Sequence, residues 1–213
     1  EISGAQLSPD GRFIVFDSHR LQAAPEPLNT SHLFVMDRDG QNLAHLGTGS
    51  SATWSPDGRR IAFHTSASGT GLAIRGDPGA AANDSDLFVV NVDNAVTRPL
   101  SRTNLTNSPL TIEEDADWSP DGERIVFTRH DVSDPSHELP LSTEIWVINA
   151  DGSNLIRLTH NAEEERAPAW SRDGRRILYV CRRGPVPRNS TFPTSELCVM
   201  NAEGSGELRL TTN

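Results

Sequence analysis

The sequence predicts an all-β fold: a β-propeller of four-stranded antiparallel blades, with four repeats in its 213 residues. A phrase written four times is the first observation: Ser8-Pro9-Asp10-Gly11-Arg12, Ser55-Pro56-Asp57-Gly58-Arg59, Ser119-Pro120-Asp121-Gly122-Glu123 and Ser171-Arg172-Asp173-Gly174-Arg175. Each copy leads into an apolar run (Ile14-Val15-Phe16, Ile61-Ala62-Phe63, Ile125-Val126-Phe127, Ile177-Leu178-Tyr179), and a second run follows after a variable stretch. Self-similarity at roughly 45 to 65 residues marks an array of units, none able to bury its own faces alone. The runs are apolar at consecutive positions, so each strand is covered on both faces. A two-sheet sandwich would leave one face of each sheet wet and its strands alternating, whereas sheets stacked about an axis cover both. No segment holds an i, i+3, i+4, i+7 apolar stripe for three turns, which excludes helices.

The third repeat shows each element. Residues 115–119 form a first strand carrying Trp118. Ser119-Pro120-Asp121-Gly122 is a tight turn: proline pre-sets φ, aspartate bonds the local backbone, and glycine accepts positive φ. Residues 124–128 make the second strand and 144–149 the third; Asp151-Gly152 turns the chain into a fourth at 155–159. The whole chain reads as one array with blades at approximately 4–46, 52–100, 115–159 and 167–211. Trp54, Trp118 and Trp170 recur at one repeat position, as core packing does.

Composition narrows the chemistry. The net charge is -10, which argues against a nucleic-acid partner, since phosphate binding needs a concentrated basic surface. All 19 basic residues are arginine, so Schiff-base and lysine general-base chemistry are excluded. No apolar run approaches the ~20 residues of a membrane span. Cys181 and Cys198 flank one loop of the last repeat. They either close a disulfide worth ~3 kcal/mol, pointing to an oxidising compartment, or remain two buried thiols. Asn-x-Ser/Thr sequons at Asn29, Asn83, Asn104 and Asn189 are expected by chance in so polar a chain.

The run Trp118-Ser-Pro-Asp-Gly-Glu-Arg-Ile-Val-Phe127, with Ile145-Trp-Val-Ile-Asn-Ala-Asp-Gly-Ser-Asn-Leu-Ile-Arg-Leu-Thr159, resembles the TolB-like propeller repeat. That family's repeats also occur in propellers of tricorn and prolyl-oligopeptidase-type peptidases and in many exported bacterial proteins. The resemblance covers nearly the whole chain. It implies fold more than activity, because the shared residues are turn formers and core residues. Members have six or seven blades, so four blades make a fragment, an unusual closed ring or half of a homo-oligomeric ring.

The short repeated turns fall on one end of the array and the long, dissimilar connections (18–31, 65–85, 129–143, 182–195) on the other, where specificity is expected. Three groups stand there. Glu113, Glu114 and Asp115 lead into the third inner strand, which also bears Asp117, and Glu163, Glu164 and Glu165 lead into the fourth. Around a channel mouth they would hold a basic ligand or Ca²⁺, with Glu114, Asp115 and Glu165 the candidate ligands. His130, Asp131, Asp134, His137 and Glu138 share one loop with no familiar metal spacing. Arg182, Arg183 and Arg188 are of the type that clamps a carboxylate. The expected ligand-contact residues are Glu114, Asp115, Glu164, Glu165, Arg129, His130 and Arg182.

No catalytic motif is present: Gly-x-Ser-x-Gly and His-Glu-x-x-His are absent, and no glycine-rich phosphate loop precedes a helix. With the resemblance, this makes the expected function a non-catalytic binding or scaffold propeller, periplasmic or extracellular in a bacterium, recognising a protein or glycan. No cofactor is expected unless Ca²⁺. The alternatives are the substrate-gating propeller of a serine hydrolase, its catalytic domain outside these residues, and a metal-dependent polysaccharide lyase.

Overall fold

Each Ser-x-Asp-Gly phrase folds into the same hydrogen-bonded turn. The serine hydroxyl donates to the aspartate Oδ1 at 2.5 to 2.7 Å. The same Oδ1 accepts the N–H of residue 12, 59, 123 or 175 at 3.0 to 3.1 Å, and the glycine N–H closes on the serine carbonyl at 2.8 to 2.9 Å. These bonds favour the ionised carboxylate; for Asp121, the Ser119 hydroxyl first and the Glu123 N–H next hold the pKa below the ordinary value. Gly122 sits at φ +72° with Arg60 Nη2 of the preceding blade 3.3 Å from where a Cβ would stand. Gly122→Val is expected to cost more than ~1 kcal/mol in urea melts, because it forces a β-branched residue into the left-handed region. An unchanged midpoint would contradict that strain.

The computed structural model describes residues 2–18, 31–65, 85–92, 102–109, 111–131, 143–161, 163–182 and 195–211. The sequons at Asn29, Asn83 and Asn189, and Asp134, His137, Glu138, Arg183 and Arg188, lie outside them. Among the described residues, sixteen strands form four antiparallel sheets, each in sequential order. Blade one is β1 (Ile2–Leu7), β2 (Phe13–Ser18), β3 (His32–Asp37) and β4 (Ala44–Thr48). Blade two is β5 (Ser50–Trp54), β6 (Arg60–His64), β7 (Leu87–Asn91) and β8 (Arg102–Asn104). Blade three is β9 (Thr111–Trp118), β10 (Arg124–Asp131), β11 (Thr143–Asn149) and β12 (Ile156–Arg157). Blade four is β13 (Glu164–Trp170), β14 (Arg176–Arg182), β15 (Ser195–Asn201) and β16 (Leu208–Arg209). The fourth strand of blade two lies beyond the expected end at residue 100. Buried Leu105, not Leu100, is the counterpart of buried Leu46 and Leu158.

The first strand of each later blade packs on the first three strands of the blade before it. Three cores result. Val15, Leu33, Val35 and Leu46 meet Trp54, Ile61 and Phe63; Ala62, Leu87, Val89 and Leu105 meet Trp118, Ile125 and Phe127; Val126, Ile145, Val147 and Leu158 meet Ile177, Tyr179 and Met200. This is why the strands are apolar at consecutive positions: one set of side chains faces the blade before and the other the blade after. Among the described residues, no element of blade one touches an element of blade four, so the four blades form an open arc. Accordingly β14 alternates between buried and uncovered positions, whereas β6 and β10 are buried at four successive residues.

Every first strand carries one break. Gly4, Ser51, Asp115 and Ala167, each three residues before the Leu or Trp that precedes the turn, have φ between 49° and 60°, and each lies where the pairing register shifts. The bulge is thus built into all four repeats, with a residue other than glycine in three of them. Cys181 and Cys198 are joined by a disulfide, with Cα atoms 5.9 Å apart. It runs diagonally, since Cys181 pairs with Glu196 and Tyr179 with Cys198 across β14 and β15.

Candidate functional site

The long connections leave from one end of the arc, where second strands finish and third strands begin, and polar side chains concentrate there. At the bulge-side end of the inner strands stand Ser3, Ser50, Glu114 and Arg166, opposite Asp17, His64, Thr128 and Val180 of the second strands. Ser3 donates to Asp17. The Ser50 hydroxyl lies 3.1 Å from His64 Nε2. His130 Nε2 is 3.9 Å from Glu114 Oε2, and Glu164 receives both Arg166 and Arg182. The inner edge therefore runs from acidic and imidazole groups on blades one to three to an arginine pair on blade four.

Burial lowers the pKa of His64 and of His130, and neighbouring carboxylates, Glu114 first, only partly oppose it. Both rings are neutral near pH 7. His64 Nδ1 has no hydrogen-bond partner among the described residues, so none of their carboxylates orients the ring as a base towards Ser50.

Beneath this edge, between blades, lies a buried layer. Thr159 Oγ1 accepts the Ile145 N–H at 2.9 Å and lies 2.8 Å from Glu144 Oε2 and 2.9 Å from Glu165 Oε2. A hydroxyl has one proton to give, so it satisfies one carboxylate, and the other bonds only by carrying a proton itself. Burial, with Glu144 and Glu207 adding repulsion, pushes the Glu165 pKa up to about 7. Burial likewise raises Glu144, whose partner Arg157 lies against it. Blade two repeats the plan: Thr106 Oγ1 accepts the Leu87 N–H and reaches Asp86 at 3.2 Å and Glu113 of blade three at 3.4 Å.

The expected site residues divide accordingly. Glu114 with His130, and Glu164 with Arg182, come together at the edge. Asp115 is exposed and reaches across to blade four, where its Oδ2 accepts the Ala167 N–H at 3.1 Å. Glu165 is buried in the Thr159 layer rather than at the mouth. Arg129 lies over the Trp146 ring at 4.8 Å, with Nε 3.6 Å from buried Glu113. Among the described residues no three His, Cys, Asp or Glu side chains gather as a metal-holding group, so Glu114, Asp115 and Glu165 form no Ca²⁺ cage. The acidity expected to need a cation is offset by arginine instead; Arg209, for example, joins Glu163 at 3.0 Å and Glu196 at 2.8 Å. The reading missed Asp86, Glu144, Glu196 and the threonines. Their signal was repetition: an acid before the third-strand aliphatic (Asp86-Leu87, Glu144-Ile145, Glu196-Leu197) and a Leu-Thr closing each later repeat. The described sequon is structural, because the Asn104 side chain donates to Asp86 at 2.7 Å and accepts the Thr106 and Asn107 N–H groups.

No family model matches the chain. A Tol-Pal system protein TolB from Anaeromyxobacter dehalogenans (strain 2CP-C) is 32% identical over 155 residues, 71% of this chain and 29% of that protein. Dipeptidyl-peptidase 5 of Porphyromonas gingivalis is 37% identical over 67 residues, 31% of this chain and 9% of that one. The chain thus spans less than a third of the length of these curated relatives. Among solved structures, a putative TolB from Agrobacterium tumefaciens superposes with TM-score 0.70 at 18% identity, over 98% of this chain and 64% of that one. The β-propeller domain of the Trilobed protease from Pyrococcus furiosus does so with TM-score 0.57 at 12% identity, over 99% and 57%. With four in-phase repeats folded as stacked four-stranded blades, the chain belongs to the TolB-like β-propeller family.

Proposed function

We propose that this chain is a non-catalytic binding propeller of an exported bacterial protein, and that it recognises a protein partner at the long-connection end of the arc. The observation that carries the reading is the split inner edge, with His130–Glu114 on blade three and Arg182–Glu164–Arg166 on blade four. Polar groups of both signs, held by neighbouring blades at a partly exposed edge, suit a partner segment with complementary charges. The likeness to TolB supports a protein partner over a glycan. Export to the periplasm agrees with that likeness and with the disulfide, which persists in oxidising compartments. Among the described residues no helix is long and apolar enough to cross a membrane.

The test is titration calorimetry of the chain against the purified soluble domains of the other Tol-Pal system proteins from the same bacterium. Glu114→Arg combined with Arg182→Glu is expected to weaken binding by roughly tenfold, about 1.4 kcal/mol, with the urea midpoint little changed. Binding unaffected by this pair, or lost instead on changing the Ser-Pro-Asp-Gly turns, would overturn the placement.

A second reading rests on the stretch shared with dipeptidyl-peptidase 5. In it the arc is part of the substrate-gating propeller of a serine peptidase whose catalytic domain lies outside these residues. A Ser/Asp/His hydrolase domain in the full reading frame would decide for it.

A further inference from the structure

We propose that His32 and His45 form a binding site for a late first-row divalent metal ion, Cu²⁺ above all, on the outer strands of blade one. His32 opens β3, and His45 lies on β4 opposite Phe34, so the two imidazoles stand diagonally on one face of the sheet. His32 Nδ1 and His45 Nε2 point at each other at 2.9 Å, with ring centroids 5.0 Å apart. Two imidazole nitrogens on one ion, each about 2.0 to 2.1 Å from it, are held roughly 3 Å from one another. The pair already has that spacing.

The later blades show what this position ordinarily does. His32 stands directly before the third-strand Leu33, where they carry Asp86, Glu144 and Glu196; His45 stands where they carry Asn104, Arg157 and Arg209. In each of them the acid accepts from its partner: Asn104 donates to Asp86 at 2.7 Å, Arg157 to Glu144, and Arg209 to Glu196 at 2.8 Å. Gly47 also stands in place of Thr106 and Thr159, so blade one departs from the acid–threonine layer as a whole. In place of a carboxylate and its donor it has two rings whose nitrogens converge. Only one proton fits between two neutral imidazoles. An ion that takes the place of this proton binds both rings at once, and the ring that yields it carries its N–H on the other nitrogen.

The surroundings suit such an ion. His32 is 4% exposed and fixes one ligand, whereas His45 is exposed and leaves the remaining coordination positions open to water. Phe34 lies against His45 with centroids 5.0 Å apart, and Phe16 stacks on Phe34, so a row of rings supports the outer imidazole. Imidazole nitrogen selects Cu²⁺, Ni²⁺ and Zn²⁺ over Ca²⁺ and Mg²⁺, which take oxygen, and among the first three Cu²⁺ binds most tightly. An ion held here clips β4 to β3.

Titration calorimetry of the untagged chain with Cu²⁺, Ni²⁺, Zn²⁺ and Ca²⁺ tests the site. Cu²⁺ is expected to bind, Ni²⁺ and Zn²⁺ more weakly, and Ca²⁺ not at all. The Cu²⁺ EPR spectrum is expected to show nitrogen coupling from two imidazoles, and deuterium exchange of residues 44–48 to slow when the ion is present. His32→Glu with His45→Arg gives blade one the Glu144–Arg157 pair of blade three. It is expected to keep the urea midpoint while weakening Cu²⁺ binding at least roughly tenfold. His45→Gln alone is expected to weaken binding to a similar degree, and it decides the matter should the double variant fold poorly. Cu²⁺ bound equally well by His45→Gln, coupling from no more than one imidazole, or unchanged exchange at 44–48 would each overturn the proposal and leave the two rings a hydrogen-bonded pair.

Discussion

Trp118→Ala is expected to destabilise the chain by ~3 to 5 kcal/mol, the range for removing a large aromatic from a core. The ring fills the junction of blades two and three beside Leu87, Val89, Ile125 and Phe127. Its Nε1 donates to the Thr53 carbonyl of the preceding inner strand at 3.2 Å, and the Arg60 guanidinium covers its face. Truncation opens a cavity, leaves that carbonyl without its donor and strands the arginine. Trp170→Ala is expected to cost less, because Trp170 is only half-buried and its Nε1 has no partner among the described residues. Urea midpoints of the two variants check this order. A loss below ~1 kcal/mol for Trp118→Ala would contradict the packing of this junction.

The second large effect is a pH dependence centred on Glu165. Its carboxyl is pushed up to about 7 from an ordinary 4.5, so the fold favours its neutral form. Below the unfolded value both states carry the proton and nothing is lost. As pH rises from about 4.5 through about 7 the unfolded chain releases its proton first, and stability falls by about 3 kcal/mol at the upper end. Raised Glu144 and Asp117 act in the same sense. His64 and His130, lowered from 6.5, act in the opposite sense and add stability as pH rises through their unfolded value. The raw curve therefore mixes signs, and the comparison with Glu165→Gln isolates the one carboxyl. The glutamine keeps the shape of the neutral acid and an acceptor for Thr159. It is expected to match the wild type near pH 5, to exceed it in urea midpoint at pH 8 by most of that difference, and to flatten the slope between. Parallel curves for the two proteins would show that Glu165 does not change its proton affinity on folding.

The architecture was legible in the chain because it rests on local chemistry. A serine, an aspartate and a glycine close the same turn four times, and consecutive apolar residues have no arrangement but coverage from both sides. The edge was harder to read. Strand alternation is the only guide to which of Glu113, Glu114 and Asp115 faces outward, and the bulge at Asp115 interrupts it. Glu114 stays at the edge with His130, Glu113 turns into the junction with Thr111 at 2.8 Å, and Asp115 crosses to the next blade. The same bulge at Ala167 separates Glu164, at the edge, from buried Glu165. What could have been taken from the chain was the repeat itself: an acid and a threonine recurring at fixed positions mark a junction layer, because a mouth specific for one ligand has no reason to be copied at each blade.

In a chain of units held only by their neighbours, the end units open first, since each has one junction where the inner ones have two. Blades one and four share that exposure but not the remedy. Blade four has its second and third strands tied by the Cys181–Cys198 bond, which keeps the hairpin closed when its packing loosens; no covalent tie holds the described strands of blade one. In the isolated 213-residue chain, fraying is therefore expected to run inward from the first blade, and under reducing conditions from both sides.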